Sequence, residues 1–353
     1  MIRFKALTGF RCLAACLVFV YHNRKYWHEQ LPSQLINWFS EFHIGVALFF
    51  VLSGFLISYT YADEPMRSGK AYSRYILLRL ARIMPLYWLI LTFYYLDHRY
   101  GNRQFSWLTY SLAHGFSERL NLVGIAQAWS LTVEMTFYIF APLLCLLKRK
   151  HFLWLIITLI TLFAISWLTG LIWFRINHNP RNFFYPLQFI SEGLFTGRCT
   201  EFLAGMLLAS AVRNERVDLF KRSRYKTLVG FTGIFVTAWC ISLFQSATYP
   251  DGVYHPAGMM LHKIVLPFFV LVLLAGLIYE KTWLLSFFSS KLLVLLGNAS
   301  FAFYLVHISY VNLKLREYFL LPDRNFIVLW LVAIVLYLVF EKPVYDVFRK
   351  LLK

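Results

Sequence analysis

An apolar segment near the N-terminus carries two polar residues whose chemistry suits a reaction centre. In FRCLAACLVFVYHN, residues 10–23, an arginine and a histidine stand at Arg11 and His22. On an α-helix this spacing places them about 20° apart around the axis and about 16 Å apart along it, so they share one face. A neutral imidazole can take a proton from a hydroxyl, and a guanidinium can stabilise an anion. Taken singly, each residue also fits a position at the membrane interface.

Two further apolar segments contain titratable groups. In WSLTVEMTFYIFAPLL the carboxylate of Glu134 is a candidate partner that fixes an imidazole tautomer. In GNASFAFYLVHISY the residues Ser300, Tyr304 and His307 are spaced to line one helix face. A single membrane histidine is often an interhelical hydrogen-bonding group, so we place the proton acceptor at His22 and treat His307 as a further site residue.

A cluster of arginines precedes the third apolar segment. In RYILLRLARIMPLYW, Arg79 and Arg82 are neighbours on a helix surface, and Arg74 precedes them. Guanidinium groups bind phosphates well, which suits a polyphosphate clamp. Basic residues beside a span also set membrane orientation, and charge alone does not decide between these roles. Within a later segment, Arg198 and Glu201 are spaced as a self-neutralising pair.

The elements that must position these residues are membrane-spanning helices. The 353 residues are 59% hydrophobic and only 15% charged, which is too apolar for an ordinary soluble domain. The net charge of +18 is spread over short clusters between apolar runs, as expected for orientation signals, and we expect no nucleic acid partner. We predict an all-α polytopic bundle with both termini cytoplasmic and about ten spans, near residues 6–24, 42–61, 77–96, 128–147, 152–173, 192–212, 227–246, 259–279, 300–319 and 326–345.

Several common kinds of site are not indicated by the sequence. The five cysteines lie in apolar segments without a CxxC pair, so we expect neither a disulfide framework nor a zinc site. No metal-binding pattern, Walker loop, GxSxG elbow or dinucleotide fingerprint occurs. We therefore expect a reaction without a metal.

Seven stretches together resemble the acyltransferase-3 family of integral membrane acyltransferases. They are the Arg11 and His22 pair, FFVLSGFLI, RLARIMPLY, WSLTVEMTFY, FLAGMLLA, LGNASFAFYLVH and EKP, and they run nearly from end to end in the family's order. Two departures are Cys12, where a small residue such as glycine is common, and the IS dipeptide after His307. Neither departure removes a reacting group.

The resemblance implies a fold, an activity and a set of site residues. It implies one acyltransferase domain over residues 1–353 in the lipid bilayer, expected in a bacterial inner membrane. It also implies transfer of an acyl group, expected to be acetyl, from cytoplasmic acyl-CoA to a hydroxyl of a sugar or lipid-linked saccharide. We expect no extracytoplasmic hydrolase-like domain, so that the membrane domain delivers the acyl group itself. The implied catalytic residues are Arg11, His22, Glu134 and His307, and the implied donor-binding residues are Arg74, Arg79 and Arg82.

The residues leave three alternatives open. Direct attack on the thioester and a relay through an acylated side chain are equally compatible with them. Intramembrane Arg, His and Glu also suit a secondary transporter or a proton-coupled lipid-sugar flippase, although we find no inverted repeat. A catalytically silent sensor is a third possibility.

Aromatic outer segments such as RNFFYP and YPDGVYHP suit stacking on sugar rings, and aromatics also belt any membrane interface.

Overall fold

The described part of the chain consists of helices joined by turns and irregular segments. The computed structural model describes residues 4–61, 68–96, 106–150, 152–177, 187–213, 225–318 and 322–352, and these ranges contain no β-strand. The α-helices are, in chain order, α1 Lys5–Asn23, α2 Ser33–Ser40, α3 Gly45–Tyr61, α4 Gly69–Leu96, α5 Trp107–Tyr110, α6 Trp129–Lys150, α7 Phe152–Asn177, α8 Leu187–Gly193, α9 Phe195–Arg213, α10 Lys226–Ser242, α11 Pro256–Met260, α12 Leu266–Tyr279, α13 Trp283–Phe288, α14 Lys291–Val306, α15 Tyr310–Tyr318, α16 Pro322–Leu336 and α17 Lys342–Leu351.

Six helical segments of the described ranges are long and apolar enough to cross a membrane. A helix suits the lipid interior because it satisfies its own backbone hydrogen bonds. The six segments are Lys5–Trp27, Ser33–Tyr61, Gly69–Leu96, Ala126–Leu147, Pro256–Tyr279 and Asn325–Leu351. Two shorter apolar helices, Ile156–Thr169 and Lys226–Ser242, coincide with other predicted spans, whereas a third, Lys291–Val306, overlaps the span predicted at 300–319 only over residues 300–306. The all-helical architecture is confirmed for the described residues, in which six helices are candidate membrane spans. The count of ten and the cytoplasmic placement of both termini stay predictions.

The chain divides into two compact units. Unit 1 comprises Met1–Tyr61 and Thr200–Ser300, and unit 2 comprises Ala62–Cys199 and Phe301–Lys353. Each unit combines two separate stretches of chain, so neither is a consecutive sequence domain. The prediction of a single domain over residues 1–353 stays a prediction.

Unit 1 is built around one continuous cluster of buried apolar side chains from α1, α3, α9, α10, α12 and α13. Helices α3 and α9 approach so closely that only glycine fits at two positions. A Cβ added at Gly54 would lie 2.2 Å from the carbonyl oxygen of Phe202, and one at Gly205 would lie 2.0 Å from that of Val51. Small residues of this kind allow direct backbone packing between membrane helices.

Unit 2 contains α4 and α6, on which the segment after α4 is docked by hydrogen bonds. The Tyr87 hydroxyl on α4 donates to the Thr109 carbonyl at 2.6 Å, and the Thr132 hydroxyl on α6 donates to the Leu112 carbonyl at 2.6 Å. The same segment places His114 in a fully buried position. These contacts fix the start of α6, which carries Glu134.

Two turns of the described residues have π-helical geometry. Residues Leu261–Val265 between α11 and α12, and Tyr337–Glu341 between α16 and α17, form π-helical turns. Such turns insert one extra residue and occur often at functional sites. The first contains His262 and Lys263, and the second ends at the buried Glu341.

Candidate active site

Unit 1 contains Arg11 and His22, the pair from which the sequence analysis starts. Helix α1 runs without interruption from Lys5 to Asn23 and contains both Arg11 and His22. Both side chains are partly buried. The Arg11 guanidinium lies 5.8 Å from the ring centre of Phe49 on α3, a cation–π distance, and the His22 ring lies 4.7 Å from the ring of Tyr21.

Unit 2 brings Glu134 together with the arginine motif. Tyr138, one turn after Glu134 on α6, donates a 2.5 Å hydrogen bond from its hydroxyl to the carboxylate. The Arg79 guanidinium on α4 lies 5.8 Å from the Tyr138 ring centre and 5.7 Å from that of Tyr75. Tyr138 therefore lies between the Glu134 carboxylate and the Arg79 guanidinium.

The arginine motif lies deeper in its helix than the sequence indicates. Helix α4 begins at Gly69 rather than near residue 77, so Arg79 stands about 15 Å along the axis from the start of the helix. Arg79 and Arg82 are partly buried, whereas Arg74 is exposed on the same helix. The structure thus separates the exposed Arg74 from the two partly buried arginines.

His307 belongs to a second polar group of unit 2. Helix α14 ends at Val306, so His307 lies in the turn that follows rather than within a continuous span over residues 300–319. Its ring is buried, and its Nδ1 lies 2.7 Å from the Tyr304 carbonyl oxygen. Because a carbonyl only accepts, Nδ1 carries the proton. The Tyr304 hydroxyl lies 2.7 Å from the Ser130 hydroxyl on α6.

The polar residues of α6 therefore form one stripe. Ser130, Glu134 and Tyr138 follow each other at one-turn spacing and share a face. Ser130 contacts Tyr304 at one end of the stripe, and Tyr138 contacts Arg79 at the other. The arrangement orients a carboxylate between two hydroxyl groups, which suits proton transfer or the binding of a polar ligand.

The two charged residues predicted to pair along α9 each have a partner on another element. Arg198 is buried and donates a hydrogen bond from Nη1 to Glu192 at 2.9 Å, within unit 2. Glu201 lies in unit 1, where its Oε1 is 3.9 Å from Nζ of Lys263. Buried charges need such partners because desolvation is otherwise costly.

Comparison with known proteins identifies the family. Residues 4–340 match the family described as "Acyltransferase domain", the acyltransferase-3 family. The chain belongs to this family. Proteins named "Putative O-acetyltransferase" from Staphylococcus aureus strains COL and MRSA252 are each 22% identical to it over 332 residues. These alignments cover 87% of this chain and 50% of the relative, so the chain spans about half the length of the curated relatives it matches. No solved structure matches the chain.

This acyltransferase-family chain distributes the predicted site residues over both units. Arg11 and His22 lie together on α1 in unit 1, and the other predicted site residues lie in unit 2: Arg74, Arg79, Arg82, Glu134 and His307. That all of these residues serve one reaction stays a prediction. Of the two aromatic outer segments, RNFFYP at residues 181–186 lies outside the described residues. In YPDGVYHP, residues 249–256, Asp251 lies 3.8 Å from the Arg24 guanidinium.

Sequence reasoning missed a group of polar residues in unit 1. Glu41 is completely buried, His43 lies beside it, and the ring of His262 from the first π-helical turn lies 5.6 Å from the ring of His43. Two histidines and a carboxylate within apolar spans were a visible signal. Their convergence was not visible, because it depends on a turn far along the chain.

Proposed function

We propose that this chain is a membrane-bound O-acyltransferase that moves an acyl group, expected to be acetyl, from acyl-CoA to a hydroxyl of a saccharide or lipid-linked saccharide. The observation that carries the proposal is the family match over residues 4–340. The names of the Staphylococcus aureus relatives favour O-acetyl transfer in particular. Six candidate membrane spans suit an acceptor at or in the bilayer.

The proposed reaction uses the α1 pair directly. The acceptor hydroxyl loses its proton to His22 as its oxygen attacks the thioester carbonyl. The carbon–sulfur bond then breaks, and the proton passes from the imidazole to the departing thiolate of CoA. Arg11, on the same helix face, stabilises the negative charge that develops on the carbonyl oxygen. Transient acylation of an imidazole or hydroxyl uses the same residues and gives the same products.

The donor phosphates are assigned to the guanidinium groups of α4. Arg79 and Arg82 supply planar hydrogen-bond donors of the kind that bind phosphate oxygens. The Tyr138 side chain connects Arg79 to Glu134, so donor binding and the orientation of this carboxylate are coupled in the proposal. His307, fixed as the Nδ1-protonated tautomer by Tyr304, is a further polar residue of the same unit.

The test is transfer of labelled acetyl from acetyl-CoA by purified protein in lipid nanodiscs. We expect labelled acetate or acetyl ester to form only in the presence of the protein. We expect Arg79→Ala combined with Arg82→Ala to weaken acetyl-CoA binding at least about tenfold, because two charged hydrogen-bonding groups are lost. Lys70→Ala removes an exposed cation from the same helix and should leave binding unchanged. Unchanged affinity in the double variant would refute the clamp, and a wild-type protein that transfers no label would refute the activity.

A second measurement identifies the acceptor. Mass spectrometry of cell-surface glycans with and without the gene should reveal a species that differs by one acyl mass. Movement of a saccharide across the bilayer by protein that consumes no acyl-CoA would instead support the transporter alternative.

A further inference from the structure

A buried carboxylate in unit 1 plays no part in the reaction described above. The Glu41 side chain is completely buried. Its Oε1 accepts hydrogen bonds from the Gly252 backbone N–H at 2.7 Å and from Gln245 Nε2 at 2.5 Å. A Cβ at position 252 would lie 1.9 Å from the Ile241 carbonyl oxygen, so only glycine lets this turn come close enough to donate. The carboxylate is therefore held by a specifically built turn.

The second oxygen of Glu41 faces a histidine. Glu41 Oε2 lies 3.9 Å from Nδ1 of His43, and the same Nδ1 lies 3.2 Å from the Ser40 carbonyl oxygen. Because a carbonyl only accepts, Nδ1 carries the proton and Nε2 presents a lone pair. Nε2 is buried and has no hydrogen-bond partner among the residues that the structure describes. A buried acceptor without a donor is costly, so this atom suits a donor supplied by a ligand.

His43 lies beside the same tyrosine ring as His22, the proposed base. Its ring lies 5.4 Å from the ring of Tyr21, and the His22 ring lies 4.7 Å from that same ring. On another side, the His43 ring lies 5.6 Å from the ring of His262. The titratable groups around His43 are thus Tyr21 of α1, Glu41 of its own turn and His262 of the π-helical turn. The Tyr21 ring therefore lies beside both the ring of His43, whose Nε2 presents the lone pair, and the His22 imidazole that is proposed to deprotonate the acceptor.

We propose that His43 Nε2 accepts a hydrogen bond from a second hydroxyl of the acceptor, and that Glu41 is a positioning residue whose negative charge, 3.9 Å from Nδ1, supports the tautomer set by the Ser40 carbonyl. The inference rests on the proposed function and narrows the acceptor to a polyol such as a saccharide. One hydroxyl reacts at His22 while another is held at His43. This contact acts on the acceptor and leaves the acyl donor unaffected.

Three variants separate the hydrogen bond from the shape of the side chain. His43→Phe keeps an aromatic ring beside Tyr21 and His262 but removes the acceptor atom. His43→Gln restores an amide oxygen that accepts a hydrogen bond. Glu41→Gln keeps the volume of the carboxylate and removes its charge. The matched control is His28→Phe, because His28 is exposed beyond the end of α1.

The measurement is the KM for each substrate, with acetyl-CoA as donor and n-octyl β-D-glucoside as the saccharide probe, in lipid nanodiscs. We expect His43→Phe to raise the KM for the glucoside about tenfold, the value of one hydrogen bond, and to leave the KM for acetyl-CoA unchanged. His43→Gln should recover the glucoside KM to within about threefold, and Glu41→Gln should raise it less than His43→Phe does. His28→Phe should match wild type.

Each other outcome overturns the inference or the function beneath it. A glucoside KM that is the same in His43→Phe and wild type would mean that Nε2 binds only water. A parallel rise in both KM values would indicate a structural role. If His43→Phe fails to give a single monodisperse peak, Glu41→Gln decides on the same criteria. Wild-type protein that hydrolyses acetyl-CoA but ignores the glucoside would overturn the saccharide class, whereas wild type without any turnover would refute the proposed function itself.

Discussion

A single carboxylate holds the beginning of α10, and its removal gives a stability change that the structure allows us to size. Glu280 Oε1 accepts from the Lys226 backbone N–H at 2.8 Å, and Oε2 accepts from the Thr227 N–H at 2.9 Å and its hydroxyl at 2.6 Å. The Lys226 ammonium lies 3.3 Å from Oε1. Loss of a helix cap costs about 1 kcal/mol, and hydrogen bonds to a charged group add about 1.5–3 kcal/mol. We expect Glu280→Ala to lower the free energy of unfolding by about 3 kcal/mol.

Thermal unfolding in detergent, followed by tryptophan fluorescence, measures this loss. In a chain of this size, a loss of about 1 kcal/mol in the free energy of unfolding lowers the unfolding midpoint by about 2 °C. For a loss of about 3 kcal/mol we therefore expect the midpoint to fall by about 5 °C. The control is Glu317→Ala, which removes an exposed carboxylate that lies 2.9 Å from Lys314. Such a surface pair contributes about 0–1 kcal/mol. Equal midpoints for the two variants would refute the reasoning.

The pH dependence of the difference provides an independent check. Burial alone raises the pKa of Glu280, but hydrogen bonds from Thr227 and Lys226 outweigh it and hold the pKa below its usual value. A carboxyl group whose pKa falls on folding contributes stability above its unfolded pKa of about 4.3 and loses that contribution as pH drops through the folded pKa. The gap between wild type and Glu280→Ala should be constant from about pH 6 to 8 and shrink below about pH 4. A gap that widens in acid would contradict the assigned contacts.

Two further predictions concern packing and a buried imidazole. Gly205→Leu should abolish a monodisperse elution peak, because its Cβ would lie 2.0 Å from the Val51 carbonyl oxygen, and normal elution would refute the close helix approach. Burial lowers the pKa of His114 to about 4, although the Leu108 carbonyl partly opposes this. The neutral His114 imidazole therefore allows full stability above about pH 6.5. The free energy of unfolding then falls by up to about 3 kcal/mol as the pH drops toward 4. His114→Leu should flatten this decline, and an unchanged acid profile would contradict the assignment.

The spans that the sequence located best are those in which apolar length alone decides the structure. The α1 and α3 helices match the first two predicted spans because lipid favours an uninterrupted apolar helix. Helix α4 begins at Gly69, earlier than predicted. The prediction began too late because the first turns of this helix are polar and basic, and their hydropathy is lower than that of a membrane span. Helical structure there does not require apolar residues.

The interruption after Val306 shows why hydropathy misjudged the ninth span. The Ser309 hydroxyl donates to the Val306 carbonyl at 3.2 Å, and the Asn312 side chain donates to the His307 carbonyl. Side-chain hydrogen bonds of this kind compete with the helical ladder. An average over apolar residues cannot register them, so the predicted face through His307 extends past the end of the helix.

The candidate site residues that sequence reasoning grouped lie on single helices, and the buried polar group that it missed depends on distant contacts. Arg11 and His22, and likewise Glu134 and Tyr138, are related by helical spacing within one segment. Glu41, by contrast, accepts hydrogen bonds from Gln245 and Gly252, which lie more than two hundred residues along the chain. Spacing in one sequence carries no information about such pairs.

Turnover by a single-residue variant tests the central claim most directly. Acetyl release or transfer from labelled acetyl-CoA should fall by about 10²–10⁴ in His22→Ala, the range expected for loss of a general base, with acetyl-CoA affinity retained. His28→Ala, which removes an exposed histidine six residues further on, should turn over like wild type. Wild-type turnover in His22→Ala would contradict the account, because no proton acceptor on α1 would then be needed for the reaction.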